Sequence, residues 1–398
     1  MWLYILLLWV FFIGAGILLS ANLPADISDR RKLQIMEFLL RITNEYLGEL
    51  IENIFGTNVR NSVLRFWMGL GFVIPLPQPK DIKVDDKIMG GVRVRCYHPK
   101  KLRSRGALIY IHGGGWATMQ ADYYDSLMYI FAKRVGVKVF SVDYRLAPEH
   151  PYPAAVDDCL IVAEHLHAKA NDYDIDDKKI AVCGDSAGGN LSAVVAQKLK
   201  DKKCICCQVL IYPVTSVFSF NLPSYQEYYK KFKDTALLNP KAMARWILMY
   251  LGLPSHIANV KKLMKNRHVS KELRGTAHFE RYLEADILKK THGEEDFGRM
   301  DDVDSDLASK FKRGIDPSIS PIFGISSDLP PALVLTCGYD VLRDEGKIYA
   351  KALQEANVKT SHLHYPTAFH GILNMPRSAV CNQMTTSIVS YLEKHLVQ

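Results

Sequence analysis

The residue of this chain best placed to act as a nucleophile is the serine of Gly184-Asp185-Ser186-Ala187-Gly188-Gly189. An apolar run, Lys179-Ile180-Ala181-Val182-Cys183, precedes it and reads as a buried strand; residues 190–199 after it read as a helix. A serine on so sharp a strand-to-helix turn is pushed above the sheet, with its hydroxyl exposed and a helix N-terminus behind it. The glycines belong there because a side chain would collide with the neighbouring strand or helix. A second motif, His112-Gly113-Gly114-Gly115-Trp116, follows the run Ala107-Leu108-Ile109-Tyr110-Ile111. About one chain in ten of this length carries G-x-S-x-G by accident, so the first motif alone decides nothing. The second is rarer by more than an order of magnitude on roughly the same reckoning, and the pair decides. Either could be a tight turn or a phosphate-cradling loop. Neither, however, has the Lys-Ser/Thr ending of a P-loop or the G-x-G-x-x-G spacing of a dinucleotide site. The chemistry they suit is acyl transfer by an activated serine.

A serine hydroxyl needs a base, and the base needs a carboxylate to orient it. In the α/β-hydrolase pattern the chain order is nucleophile, acid, histidine. Asp340 comes just after the strand ending in Cys337-Gly338, and His370 just after the next strand, in Thr367-Ala368-Phe369-His370-Gly371. Asp344 suits the first turn of the helix that follows, where the dipole favours a carboxylate. His362 and His364 lie inside a strand. The expected set is therefore Ser186, His370 and Asp340, with the oxyanion held by N–H groups of Gly113, Gly114, Gly115 and Ala187. His112 is expected to orient the glycine loop, and Trp116 to pack.

Positioning these residues takes a sheet. Strands are expected at 92–97, 107–111, 137–142, 179–183, 207–212, 332–337 and 360–365, with helical stretches such as 154–170 between them. That alternation implies an α/β fold with a mostly parallel sheet and helices on both faces, the α/β-hydrolase fold. The rhythm breaks between 213 and 328, too long for a structureless loop, so an inserted subdomain is expected at about 214–327. It includes a helix with Asn239 as N-cap, Pro240 first and Gly252 beyond its end. Upstream, Leu33, Met36, Leu40, Leu47, Leu50, Ile51 and Ile54 recur at helical spacing, and a second apolar helix covers 63–74. These two are expected to pack their apolar surface on the domain and, with the insertion, to form a lid over the sheet's C-terminal edge. The partition is 1–22 anchor, 23–90 N-terminal lid helices and lead-in, and 91–398 catalytic domain.

The first segment, residues 1–24, has no charged side chain and is almost wholly apolar from Trp2 to Leu19. That suits an uncleaved membrane anchor better than a signal peptide, because no basic n-region or clear cleavage site is present. Arg30, Arg31 and Lys32 after it would hold the body in the cytoplasm by the positive-inside rule, although long domains cross regardless of such charges. Over all 398 residues the apolar share is 48% and the charged share 23%, which argues against disorder. A net charge of +8 with no aromatic-interleaved basic stripe excludes a nucleic-acid partner. The basic group Lys261, Lys262, Lys265 and Arg267 reads as a solvated helix face. The eight cysteines show no paired zinc spacing, and Cys204, Cys206 and Cys207 have no nearby His or carboxylate to complete a metal site. Neither metal nor cofactor is called for.

With HGGGW, Asp143-Tyr144-Arg145-Leu146-Ala147-Pro148-Glu149-His150 and GDSAGGN on the page, the chain resembles the hormone-sensitive-lipase group of α/β-hydrolases. Leu222-Pro223-Ser224-Tyr225-Gln226-Glu227, Tyr339-Asp340-Val341-Leu342-Arg343-Asp344 and the apolar N-terminus narrow the resemblance to its arylacetamide deacetylase-like members. The resemblance spans nearly the whole chain and implies hydrolysis of lipophilic carboxylic esters or arylamides. It also implies a single-pass anchor in the endoplasmic reticulum with a lumenal body, and it puts the triad on the same Ser186, Asp340 and His370. One departure is Ala117, where arylacetamide deacetylase has a cysteine, so a bridge to Cys337 cannot form. The sequon Asn190-Leu191-Ser192 falls on the nucleophile helix, where it is expected to be buried. Two other readings compete: a ligand-binding protein on the same fold that has lost turnover, and a peptidase.

Overall fold

The computed structural model describes residues 2–18, 23–71, 77–231, 238–270, 272–273, 303–375 and 377–398. Its strands are β1 (Ile82–Met89), β2 (Val92–Pro99), β3 (Ala107–Ile111), β4 (Lys138–Asp143), β5 (Ile180–Asp185), β6 (Ile205–Ile211), β7 (Ala332–Tyr339) and β8 (Thr360–Phe369). They form one sheet in the order β1-β2-β4-β3-β5-β6-β7-β8. β1 and β2 run antiparallel to each other, β2 runs antiparallel to β4, and the remaining pairs are parallel. Side chains alternate between two cores, as a pleated strand requires. In β3, Ile109 and Ile111 enter one core while Leu108 and Tyr110 enter the other. The strand is buried on both faces, which is why its sequence is continuously apolar.

The first helices of the chain are α1 (Trp2–Leu18), α2 (Arg30–Leu40), α3 (Gly48–Phe55), α4 (Thr57–Gly71), α5 (Asp125–Val135), α6 (Ala154–Ala168) and α7 (Ala187–Lys198). Then come α8 (Pro223–Lys231), α9 (Pro240–Tyr250), α10 (Ile257–Met264), α11 (Ser305–Phe311), α12 (Arg343–Glu355) and α13 (Ala379–Leu396). α5 and α13 supply one core; α6, α7 and α12 supply the other. The chain leaves β3 for β4 on one side and later takes up β5 on the other. That reversal is where open α/β sheets hold ligands. Both glycine motifs sit there, on adjacent strand ends.

The sequence reading starts the sheet at residue 92 and its domain at 91; the structure adds β1, so that boundary cuts a hairpin. Met89 pairs with Val92 across a two-residue turn, Gly90-Gly91, in which both φ angles are positive (60° and 92°). Paired glycines are what such a turn selects, and they were the available signal. β1 itself is an edge strand carrying Lys83, Asp85, Asp86 and Lys87, too charged to read as apolar alternation.

The insertion between β6 and β7 carries α8 to α11, and residues 274–302 within it lie outside the described residues. α9 has the expected start: the Asn239 side chain accepts from the Ala242 N–H at 2.8 Å, ahead of Pro240. At the N-terminus, α2 runs through a π-helical segment, Arg41–Leu47, into α3, making one rod from Arg30 to Phe55. α4 follows beyond Gly56, starting earlier than the expected 63; residues 72–76 lie outside the described residues. The expected packing of this rod holds only in part. Leu33 is buried and Met36, Leu40, Leu47 and Ile51 are half-buried, but Leu50 and Ile54 are exposed, and Glu37 and Arg41 are buried on the inner side. Among the described residues no helix is long and apolar enough to cross a membrane. The 17 residues of α1 rise about 25 Å against a hydrocarbon core of about 30 Å, and residues 19–22 lie outside the described residues.

Candidate active site

The turn from β5 into α7 holds Ser186 at φ 55° and ψ −119°, a conformation an L-residue adopts only when its surroundings impose it. The imposition is visible. Ser186 N–H donates to the Ile211 carbonyl of β6 at 2.9 Å, and α7 starts immediately after. A Cβ on Gly188 would lie 2.0 Å from the Ile111 carbonyl oxygen, so α7 can press against β3 only with glycine there.

Asp340 follows directly on β7 and His370 directly on β8, its hydrogen-bonded neighbour. His370 Nε2 lies 2.9 Å from Ser186 Oγ, and His370 Nδ1 lies 2.8 Å from Asp340 Oδ2. The other Asp340 oxygen, Oδ1, accepts from Leu342 N–H at 2.8 Å. The Tyr212 ring, centred 4.6 Å from the imidazole, walls it on one side. The three expected side chains thus form one hydrogen-bonded chain, reaching into a largely buried serine. Such a chain can take a proton from the hydroxyl and spread the resulting positive charge toward a carboxylate.

The rejected alternatives are elsewhere. Asp344 is buried, pairing with Arg343 and accepting from Ser224 N–H at 2.7 Å, so it ties α8 to α12. His362 and His364 both meet Thr336 Oγ1 at 2.9 Å along the β7–β8 pairing. Burial beside Lys347 lowers both imidazoles, His364 to about 4.

The glycine loop corrects one expectation. Gly113 N–H donates to Asp185 Oδ1 at 2.9 Å and to the Tyr124 hydroxyl at 3.2 Å, so it is not available to an oxyanion. Gly114, Gly115 and Ala187 have N–H groups committed to no protein acceptor among the described residues. Asp185, the residue before the serine, is what the sequence reading missed. Its carboxylate also accepts from Tyr110 at 2.8 Å and Tyr124 at 3.1 Å. Burial pushes its carboxyl up, and these hydrogen bonds oppose the rise. The carboxylate therefore pegs the glycine loop to the nucleophile turn. An acidic residue at the end of an apolar strand was the one sign of it. His112 is buried, its Nδ1 lies 2.8 Å from the Gly113 carbonyl, and it stacks on Tyr144 at 4.3 Å. Burial holds its imidazole below the ordinary histidine value. Trp116 is buried and stacks on Tyr250 at 4.3 Å, so it packs.

Other residues absent from the sequence reading hold the site from outside. Trp246 of α9 lies so close over Gly115 that a Cβ there would be 2.3 Å from its ring. Arg65 of α4 donates to the Ala117 carbonyl at 2.7 Å and the Ala147 carbonyl at 2.8 Å, and pairs with Glu149. Glu345 of α12 accepts from Thr215 N–H at 2.8 Å and Ser216 N–H at 3.1 Å. It thereby fixes the loop whose Val214 N–H donates to the Ser186 carbonyl at 3.3 Å. Burial raises the Glu345 carboxyl to about 8. The eight cysteines are free, Cys337 among them, and Asn190 and Ser192 of the sequon are buried.

A family model described as the alpha/beta hydrolase fold matches residues 108–279 and 282–374. Arylacetamide deacetylase of Bos taurus is 32% identical over 97% of this chain and 98% of its own length. Neutral cholesterol ester hydrolase 1 of Mus musculus is 30% identical, covering 88% of each. Among solved structures, an esterase of Pyrobaculum calidifontis superposes with a TM-score of 0.65 at 28% identity, over 85% of this chain and 94% of its own. A thermostable carboxylesterase cloned from a metagenomic library gives 0.64 at 25%, over 84% and 97%.

Proposed function

Because the chain belongs to the α/β-hydrolase fold family, in its arylacetamide deacetylase-like branch, it is a carboxylic ester hydrolase, and we propose that Ser186, His370 and Asp340 carry its reaction. The observation behind this is the unbroken hydrogen-bonded chain from Asp340 through His370 to Ser186. His370 Nε2 takes the hydroxyl proton as Ser186 Oγ bonds to the substrate carbonyl carbon. Asp340 holds the imidazole by its other nitrogen and stabilises the imidazolium. The carbonyl oxygen, now negative, is held by Gly114, Gly115 and Ala187 N–H groups, donors of a kind worth about 3 kcal/mol each when removed from other hydrolases. The tetrahedral adduct collapses, His370 returns the proton to the leaving alcohol or amine, and the acyl group stays on Ser186. Water, deprotonated by the same imidazole, then releases the acid. No metal or cofactor takes part in this scheme.

The substrates are lipophilic esters, arylamides or both; the relatives named for arylacetamides and for cholesterol esters favour that class. The uncharged apolar α1 serves as a single-pass anchor in the endoplasmic reticulum membrane, with the body lumenal. A fluorophosphonate probe labels the wild-type chain and not Ser186→Ala, and the same substitution abolishes hydrolysis of a short aryl ester. Labelling of neither would mean a ligand-binding protein without turnover. For orientation, the native sequon is uninformative because Asn190 is buried. An acceptor sequon appended after Gln398 is glycosylated if the body is lumenal; a protected anchor with an unmodified tag would reverse the orientation.

A further inference from the structure

The rod from Arg30 to Phe55 turns an apolar row outward. Its exposed apolar residues before the terminal Phe55 are Ile35 (67% exposed), Leu39 (55%), Ile42 (36%), Tyr46 (58%), Leu50 (56%) and Ile54 (62%). Their spacings of four and three residues put them on a single helix face. The opposite face carries charge and is turned inward. Glu37 and Arg41 are buried beside each other; Glu49 pairs with Lys241 of α9, and Glu52 pairs with Arg245 of α9 and with Arg60 of α4 at 3.6 Å. A helix packed for water buries its apolar stripe and shows its charges. This one buries Leu33 together with charged groups and shows a second apolar row to the outside, which α4 extends with Phe66 and Trp67.

We propose that this outer face is seated on a lipid bilayer, so that lipophilic substrate reaches Ser186 from the membrane rather than from water. The proposal rests on the anchor reading of α1 and deepens it. Three observations commit it to lipid. Arg30 begins the rod only twelve positions after Leu18 ends α1, so the linking chain can reach at most about 40 Å. With α1 in the membrane, the rod is held at the bilayer surface. Next, the face mixes aliphatic residues with Tyr46, Phe66 and Trp67, the composition of an interfacial helix, and Arg31 stands exposed at its start for headgroup phosphates. Last, the inner side of the same helices touches the site: Arg65 of α4 holds the Ala117 and Ala147 carbonyls, and α9, bound to the rod by Arg245 and Lys241, lays Trp246 over Gly115. The outer face is thus linked to the glycine loop through α9 and to the segment just after that loop through Arg65 of α4.

The test uses the full chain in phosphatidylcholine liposomes. A nitroxide is placed at Leu50→Cys and, as the reference, at Ile88→Cys on β1, which is 68% exposed. The unsubstituted chain, treated alike, supplies the blank. The Leu50 label is expected to favour dissolved oxygen over a water-soluble nickel complex by at least threefold more than the Ile88 label. Equal ratios would overturn the proposal. So would dipolar broadening between Leu50 labels, which would give the face to a second copy. A functional arm uses the triple substitution Leu39→Glu, Leu50→Glu and Ile54→Glu. Hydrolysis of a long-chain ester dissolved in the liposomes should fall at least tenfold, while a water-soluble aryl ester changes less than twofold. Equal change on both substrates counts against lipid delivery, and the nitroxide reading does not depend on that variant. Failure of the wild type on the soluble ester would instead sink the proposed catalytic set.

Discussion

Two regions of this molecule solve opposite problems. Around Ser186 the chain buries apolar strands and meets buried carboxyl groups with hydrogen-bond donors: Asp185 by Tyr110, Tyr124 and Gly113, and Glu345 by Thr215 and Ser216. Along the Arg30–Phe55 rod the buried groups include, beside Leu33, ion-paired carboxylates and cations, while a row of large apolar side chains faces out. In the first region a buried carboxylate is met by dipoles; in the second it is met by guanidinium and ammonium groups. Dipoles fixed by backbone give a geometry that cannot slide, which a nucleophile turn requires. Ion pairs between long side chains hold two separate helices together, which a cover over the site requires.

The contrast breaks first at the nucleophile. Ser186→Ala should lower kcat on a short aryl ester by on the order of 10⁴-fold or more while leaving the melting temperature nearly unchanged. Steady-state kinetics with single-turnover controls check it, and retained turnover would remove Ser186 from the reaction. Asp185→Ala comes next. It removes the acceptor of the buried Tyr110 and Tyr124 hydroxyls, each unsatisfied group costing about 1–3 kcal/mol, and leaves Gly113 N–H only its longer bond to Tyr124, so stability falls by several kcal/mol. Because the glycine loop loses its peg, kcat should fall while KM holds. A loss of stability with kcat intact would show that the loop is positioned by something else.

How much of this was legible follows from how far each interaction reaches. The nucleophile turn is local, so its glycines spell it out; Asp340 and His370 were found because each follows within a few positions of a recognisable strand. Gly113 was assigned wrongly because its acceptor, Asp185, lies on a different strand, and no spacing rule brings the two together before the sheet exists. β1 was hidden by its charges. The rod shows a deeper limit. Helical periodicity at Leu33, Leu40, Leu47 and Leu50 marks one stripe, but Ile35, Leu39, Ile42 and Tyr46 beside it repeat at a similar period, and periodicity does not say which row faces the core. Which side faces in is decided by Lys241 and Arg245, about two hundred positions away along the chain.

Those partners sharpen the comparison on its charged side. Glu52→Gln leaves Arg245, almost wholly buried, and Arg60, which burial and neighbouring Arg245 already lower to about 10, without their carboxylate. Removing one partner of a buried pair costs about 3–5 kcal/mol, and the partly open edge of this one places the loss toward the lower end. Ile54→Ala, two positions on but facing outward, should cost under about 0.5 kcal/mol. Chemical denaturation of the two variants side by side measures the gap. Equal losses would mean that the rod is not held by its charges.

The smallest expected effect tests the other side, where Glu345 has dipoles but, among the described residues, no cation paired with it. Its carboxyl is raised to about 8 by burial, from 4.5 in the unfolded chain. Between those values the folded protein keeps a proton that the unfolded chain releases. Stability attributable to Glu345 is therefore whole below about pH 4.5, falls as pH rises toward about 8, and is lost above it. Glu345→Gln keeps an acceptor for Thr215 and Ser216 N–H but cannot ionise, so this slope disappears. The melting temperature of the variant relative to wild type should rise steadily from pH 5 to pH 8.5. Titration of the remaining groups cancels in that difference, so parallel curves across the window would mean that Glu345 is ionised in the folded protein. The site would then contain a compensating charge, and the two regions would be less different than their hydrogen bonds make them.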